Sequence, residues 1–141
     1  MQEIILKFPR KLEYLNIATN LASLVSDKLE KDNILLLNKI ELAVSEACTN
    51  AIKYAKNTNR DDTLVLSFKI LPDKLSISLQ DKGQGFDINN IPDPDFDIYP
   101  ERGYGIYILK KMMDKISYKI GENGYNTLIM EMRYKNTHKI S

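Results

Sequence analysis

Two polar side chains near position 50 have the spacing of partners on one helix face. Glu46 and Asn50 lie four residues apart in the stretch SEACTN, so a helix would project a carboxylate and a carboxamide from the same face. Ala43, Ala47 and Ala51 around them are small, which would let another group come close. The pattern also fits an ordinary pair of helix surface residues, and taken alone the spacing favours that interpretation.

Glycines alternate at two further places, in a chain that has only six. Gly83 and Gly85 follow Asp81, which ends an apolar run, and this pattern fits either a binding turn or a glycine-rich strand exit. Gly103 and Gly105 precede an apolar segment of helical period. Glycines there would expose backbone N–H groups at a helix N-terminus, where anions bind. A single GxG pair is a weak signal by itself.

Several other kinds of site have no counterpart in the sequence. There is no GxxxxGK[ST] phosphate loop, and neither GQGFDI nor GYGIYI has the third glycine of a dinucleotide-binding fingerprint. The one histidine, His138, stands near the end of the sequence, which argues against histidine acid–base chemistry. The one cysteine, Cys48, excludes an internal disulfide and gives no metal-ligand cluster.

Length and composition predict one globular domain over residues 1–141. Hydrophobic residues make up 43% of the chain, which is enough for a packed core. The formal net charge is +1, from 20 basic and 19 acidic residues, and gives no basic surface for nucleic acid or an acidic membrane. The sequence also has no charged-then-apolar leader and no run of membrane-spanning length. We therefore expect an intracellular, cytoplasmic domain.

The spacing of apolar residues predicts the elements that would position these groups. Recurrence at three and four residues predicts helices, and alternation at period two predicts strands paired as hairpins. The predicted elements are a strand at 3–9, helices at 10–32 and 34–56, a hairpin of strands 63–70 and 74–81, a helix at 103–116, and a hairpin of strands 116–121 and 127–134. Residues 86–102, with three prolines and five acidic residues, predict a long loop, and 135–141 a frayed tail.

The order of these elements predicts the fold class. Strands come in hairpin pairs and do not alternate with helices, which argues against a doubly wound parallel sheet. The pattern predicts an α+β fold, a two-layer sandwich in which a mixed, mostly antiparallel sheet carries three helices on one face.

In this order and spacing, the three stretches resemble the nucleotide site of the GHKL, or histidine kinase-like, ATPase superfamily. ELAVSEACTNAIKYA resembles its N box, LQDKGQGFD its first glycine box and ERGYGIYILKKMMDKISY its second, so the resemblance covers about residues 34–134. Within the superfamily the chain is similar to the bacterial anti-sigma factor/serine-protein kinases. The shared features are small size, a helix before the N box, an acidic lid containing DPDF, and Met113-Asp114 after the second box.

The resemblance implies roles for the polar residues, with Mg²⁺ and ATP or ADP as cofactors. Asp81 would accept a hydrogen bond from the adenine amine, which would satisfy a buried carboxylate. Asn50 would ligate Mg²⁺ through its amide oxygen. Glu46, one helical turn away, would take the proton from the attacking hydroxyl.

The resemblance also implies that backbone at the glycines lies against the nucleotide. Gly83 would let the chain approach the base edge, and Gly85 would let it turn away over the nucleotide, where a Cβ would intrude. Gly103 and Gly105 would place N–H groups against the phosphates.

Two basic residues and one hydroxyl complete the implied nucleotide site. Arg102 and Lys53 would help to neutralise the phosphates. The family usually opens its last strand with a Gly-Thr pair, where this chain has Asn126-Thr127. Thr127 is assigned to the nucleotide site on that basis, while the asparagine makes the local turn a point of departure from the family.

The implied activity has three alternatives. The first is an anti-sigma factor and serine/threonine kinase that binds a sigma factor and phosphorylates an antagonist protein, as a homodimer without nucleic acid or membrane. The second is a nucleotide-gated binding protein without kinase activity. The third, the catalytic domain of a histidine kinase, is disfavoured because no phosphoacceptor helix pair precedes the domain. The presence of Glu46 favours the first over the second.

Overall fold

A computed structural model of the chain describes residues 1–53, 62–82, 104–121 and 124–134. After the first strand, Leu12–Tyr14 forms one turn of 3₁₀ helix. The regular elements are β1 (Gln2–Pro9), α1 (Leu15–Leu29), α2 (Ile34–Lys53), β2 (Thr63–Ile70), β3 (Lys74–Lys82), α3 (Tyr104–Met112), β4 (Lys115–Ile120) and β5 (Tyr125–Arg133). None of the described helices combines the length and apolar character needed to cross a bilayer.

The five described strands form one sheet in the order β1-β2-β3-β5-β4. All four pairings are antiparallel, so the described sheet has none of the parallel component that a mixed sheet would have. The register places Leu79 opposite both Leu66 and Leu128, and Asp81 opposite Asn126. The predicted α+β architecture is confirmed.

The core lies between one face of the sheet and the helices. Buried and half-exposed residues alternate along β2, β3 and β5, as expected for strands with one covered face. Most of the buried residues of α1 and α2 are small, which lets the two helices pack closely on each other. Cys48 is part of this core, where burial raises the pKa of its thiol to about 12, so it is protonated and unreactive at neutral pH.

Helix α1 begins later than its apolar spacing predicts. The predicted helix starts at residue 10, but Lys11 is extended, with ψ of 140°, and the backbone N–H of Arg10 bonds to the carbonyl of Asp62. Arg10 therefore continues the inward-facing series of β1, two residues after the buried Phe8. The helix ends at Leu29, and Asn33 caps α2 because its Oδ1 accepts the N–H of Leu36 at 3.0 Å.

Helix α3 ends earlier than predicted, at Met112. The N–H of Asp114 bonds to the carbonyl of Glu131, and its Oδ2 accepts the N–H of Arg133 at 2.6 Å. These bonds join Asp114 to β5, so the chain leaves the helix and enters β4 at Lys115. Strand β5 begins at Tyr125, two residues before the predicted strand.

Candidate functional site

Most of the buried polar residues of the described chain gather at one end of the sheet. Arg10 contacts Asp81, Asp81 lies opposite Asn126, and the residue after Asn50 supplies a carbonyl to Arg10. Ser26, inside α1, is the remaining buried polar residue among those described. Buried polar groups are costly unless they are paired, so their concentration marks this end of the sheet as a candidate binding site.

Asp81 has its position because β3 continues its inward alternation to the strand end. Leu75, Ile77 and Leu79 face the core, and Asp81 follows in the same series with 8% of its surface exposed. Burial raises the pKa of its carboxyl, and the Arg10 guanidinium offsets part of that rise. The result is a partly desolvated acceptor at the place where the sequence predicts the purine carboxylate.

Arg10 is the main residue of this cluster that sequence reasoning missed. Its Nη1 donates to the carbonyl of Ala51 at 3.0 Å, and its Nη2 donates to the carbonyl of Lys82 at 2.6 Å. Nη2 also lies 3.4 Å from Asp81 Oδ2, with the two side chains 3% and 10% exposed. A signal for it exists in the sequence, since Arg10 keeps the period-two spacing from Phe8.

The α2 residues lie as their spacing predicts. Asn50 is buried and Glu46, one turn earlier, is half-buried, with Ala47 and Ala51 in the core beside them. The Nδ2 of Asn50 has no hydrogen-bond partner among the described residues. A buried amide with an uncommitted donor fits a site that receives a polar ligand. Lys53 is the last residue of α2 in the structure and is exposed.

The glycine boxes are only partly covered by the structure. Gly105 is the second residue of α3, close to the helix start as predicted. Gly83, Gly85, Gly103 and Arg102 lie outside the described residues, and so does the lid predicted at 86–102. Their assignments therefore remain predictions.

The start of β5 differs in detail from the expectation built on a Gly-Thr pair. Gly124, with φ of +85°, occupies the turn, where a side chain would be strained. Asn126 is fully buried and lies opposite Asp81, whereas Thr127 lies opposite Gln80, on the other face of the sheet. The residue of this strand that faces the carboxylate is therefore Asn126, not Thr127.

This cluster matches what a purine nucleotide and its cation require. Asp81 offers a buried acceptor, and Asn50 offers a buried carboxamide one turn from a carboxylate. No group of three or more His, Cys, Asp and Glu side chains that could hold a metal ion occurs in the part of the chain that the structure describes. The amide oxygen of Asn50 could ligate a cation beside oxygens of the nucleotide and water.

Comparisons with known proteins agree with the fold and show the family of the chain. The family of histidine kinase-like ATPase domains matches residues 9–132. A serine-protein kinase RsbW from Oceanobacillus iheyensis is 30% identical over 137 residues, covering 92% of this chain and 84% of the relative. The RsbW of Bacillus licheniformis is 31% identical over 125 residues, covering 82% of this chain and 76% of the relative.

Solved structures share the fold at lower identity. A chain of the SiaB–SiaC complex from Pseudomonas aeruginosa superposes with a TM-score of 0.65 at 11% identity, covering 93% of this chain and 89% of that one. The histidine kinase AdeS of Acinetobacter baumannii gives 0.51 at 14% identity, covering 96% and 70%. This chain belongs to the family of histidine kinase-like ATPase domains and, within it, to the bacterial anti-sigma factor/serine-protein kinases, and is thus a nucleotide-binding protein serine/threonine kinase.

Proposed function

We propose that the chain binds Mg²⁺·ATP at the Asp81 end of its sheet, sequesters a sigma factor, and phosphorylates an anti-sigma-factor antagonist on serine or threonine. The observation that carries the proposal is the buried Asp81 carboxylate, joined through Arg10 to the stretch of α2 that carries Asn50 and Glu46. The names of the RsbW relatives support the serine-protein kinase activity. The protein partners, a cytoplasmic location, the single domain over 1–141 and a homodimer are part of the proposal.

Each residue of the cluster has a distinct task in this proposal. Asp81 accepts a hydrogen bond from the adenine amine, which selects the base and relieves the desolvation of the carboxylate. Asn50 holds Mg²⁺ through its amide oxygen, and Glu46 accepts the proton of the attacking hydroxyl. Bound Mg²⁺·ATP supplies the phosphoryl group, so the protein contributes mainly positioning and charge neutralisation.

The remaining tasks fall to residues near the phosphates. Gly103 and Gly105 offer backbone N–H groups at the start of α3, and Gly83 and Gly85 let the chain pass close to the base. Arg102, the last residue of the predicted lid, and Lys53, the last residue of α2, balance phosphate charge. Position 127 is left out, because the register turns it away from Asp81.

The substitution Glu46→Gln tests the catalytic part of the proposal. It keeps the size and hydrogen bonding of the side chain and removes only the proton acceptor. We expect ATP affinity near wild type and phosphate transfer slower by about 10²- to 10⁴-fold. Asn50→Ala should instead lose Mg²⁺-dependent binding and transfer together.

The measurement is transfer of label from γ-labelled ATP to proteins captured with the chain from cells of its source, beside a nucleotide titration. Glu13→Gln, an exposed glutamate before α1, is the matched control and should behave as wild type. If wild type transfers no label to any captured partner but still binds ATP, the chain is a nucleotide-gated binder without kinase activity. If Asp81→Asn binds ATP as tightly as wild type, the adenine assignment is wrong.

A further inference from the structure

Arg10 brings a positive charge to the buried Asp81 carboxylate at the purine end of the sheet. The side chain is almost completely buried, and its guanidinium is held in place by the carbonyls of Ala51 and Lys82. These two hydrogen bonds to backbone carbonyls hold Nη2 at 3.4 Å from Asp81 Oδ2. The guanidinium is therefore positioned by α2 and by the end of β3, and its charge acts on Asp81 from a fixed point.

The other ionisable groups near Asp81 do not replace this charge. Asp62, before β2, acts in the opposite direction and raises the pKa of the Asp81 carboxyl. From α2, which packs on β3, the ionisable side chains on either side of Ala51 are Glu46, an acid, and the exposed Lys53. The neighbouring β5 places the uncharged Asn126 opposite the carboxylate. Among the side chains that act on this carboxyl within the described chain, Arg10 is the one that favours its charged form, and the backbone N–H of Asp81 adds to that effect.

We propose that Arg10 is a purine-specificity residue, which keeps Asp81 as an acceptor-only carboxylate and thereby selects a base with an exocyclic amine over one with a carbonyl at the same position. The inference rests on the proposed function, since it takes the Asp81 end of the sheet as the base site.

The chemical basis is the reversal of hydrogen-bonding character when a carboxyl takes up a proton. An ionised carboxylate only accepts hydrogen bonds, so it matches the amine of adenine and repels the carbonyl oxygen of hypoxanthine. A protonated carboxyl can donate to that carbonyl. Because burial already favours the protonated form of Asp81, loss of the Arg10 charge moves the site toward accepting both bases.

The experiment compares affinities for ATP and for inosine triphosphate, which has a carbonyl in place of the adenine amine. Arg10→Gln removes the charge and keeps a hydrogen-bonding side chain, while Arg10→Lys keeps the charge. Lys11→Gln removes a charge from the next, exposed residue and is the matched control. We expect Arg10→Gln to reduce the ratio of ATP affinity to inosine triphosphate affinity about tenfold at neutral pH. Arg10→Lys and Lys11→Gln should keep the wild-type ratio.

The pH dependence separates this effect from a loss of packing. In Arg10→Gln the preference for ATP should return as pH rises and Asp81 ionises, which a merely structural defect would not produce. A folded Arg10→Gln protein with wild-type preference at every pH would overturn the inference. If Arg10→Gln does not fold, Arg10→Lys decides, because loss of ATP preference despite the retained charge would overturn it equally.

If the proposed base site itself is wrong, the binding measurements give a different result from the one expected when only the role of Arg10 is wrong. If wild type binds neither triphosphate, or if Asp81→Asn keeps full affinity and preference for ATP, the base site has been misplaced and the proposed function fails. If wild type prefers ATP and Asp81→Asn loses that preference, the base site stands. The behaviour of Arg10→Gln then bears on the role of Arg10 alone.

Discussion

Strand β3 has an ion pair at each end, and the two pairs lie in opposite environments. At its start, Lys74 Nζ lies 3.7 Å from Glu131 Oε2, with side chains 39% and 26% exposed. Near its end, Arg10 Nη2 lies 3.4 Å from Asp81 Oδ2, with side chains 3% and 10% exposed. The N–O distances of the two pairs are nearly equal, so the pairs differ mainly in how far water reaches their side chains.

That difference assigns the two pairs different roles. Exposed pairs contribute little to stability, because water screens them and their long side chains lose entropy when held together. Buried pairs bear a desolvation cost that their attraction does not always offset, so apolar residues would often serve the fold as well. A buried pair at the end of β3 is thus better explained by the ligand chemistry of Asp81 than by a need for stability.

The largest expected effect comes from breaking the buried pair. Arg10→Met leaves a desolvated carboxylate without its cation and two backbone carbonyls without their donor. We expect a loss of about 3–5 kcal/mol in the free energy of unfolding at neutral pH. Urea denaturation measures it, with Lys11→Met as the control at an exposed neighbour. If Arg10→Met costs as little stability as the loss of an exposed ion pair, then burial does not distinguish the two ion pairs of β3.

A smaller effect should appear in the pH dependence of stability. Burial raises the pKa of Asp81 above its value in the unfolded chain, so the folded state binds the proton more tightly. The stability of wild type relative to Asp81→Asn should therefore rise as pH falls through the folded-state pKa of Asp81 toward its unfolded value. The gain is complete below the unfolded pKa and is lost as pH rises through the folded one. Parallel pH profiles of the two proteins would contradict the raised pKa.

The smallest effect is expected at the exposed pair. Lys74→Met should change the free energy of unfolding by about 0–1 kcal/mol, and added salt should reduce that change further. A double-mutant cycle with Glu131→Gln isolates the pair from changes in strand propensity. A coupling energy of several kcal/mol here would mean that exposure does not distinguish the two ends of β3.

Local periodicity predicted most of the described fold. Strand β2 lies at the predicted residues, β3 is one residue longer, and α2 begins where predicted, because one buried face imposes a period of two or of 3.6 on the sequence. The same reasoning placed Glu46 and Asn50 on one helix turn. It also placed Asp81 at the end of an apolar run, directly before the first pair of alternating glycines.

The missed features depend on contacts between distant parts of the chain. The residues that follow Arg10 have the apolar spacing of a helix, but its hydrogen-bond partners lie 41, 71 and 72 residues away in the sequence. Asp114 ends α3 because it bonds to β5, which the helical spacing of its neighbours does not reveal. The facing of Asn126 depends on the register of β5 against β3, and a shift of one residue would have exchanged it with Thr127.

The pairing of β1 with β2 has a consequence for the order in which the protein assembles. During synthesis β1 emerges first, yet its hydrogen-bonding partner begins only at Thr63, whereas β2 and β3 are neighbours joined by a short turn. Closing the shorter loop costs less chain entropy, so the β2–β3 hairpin should form before β1 is added to it. Arg10 follows β1 directly and can reach Asp81 only after that addition. The charge environment of the purine carboxylate would thus be completed by one of the last steps of folding.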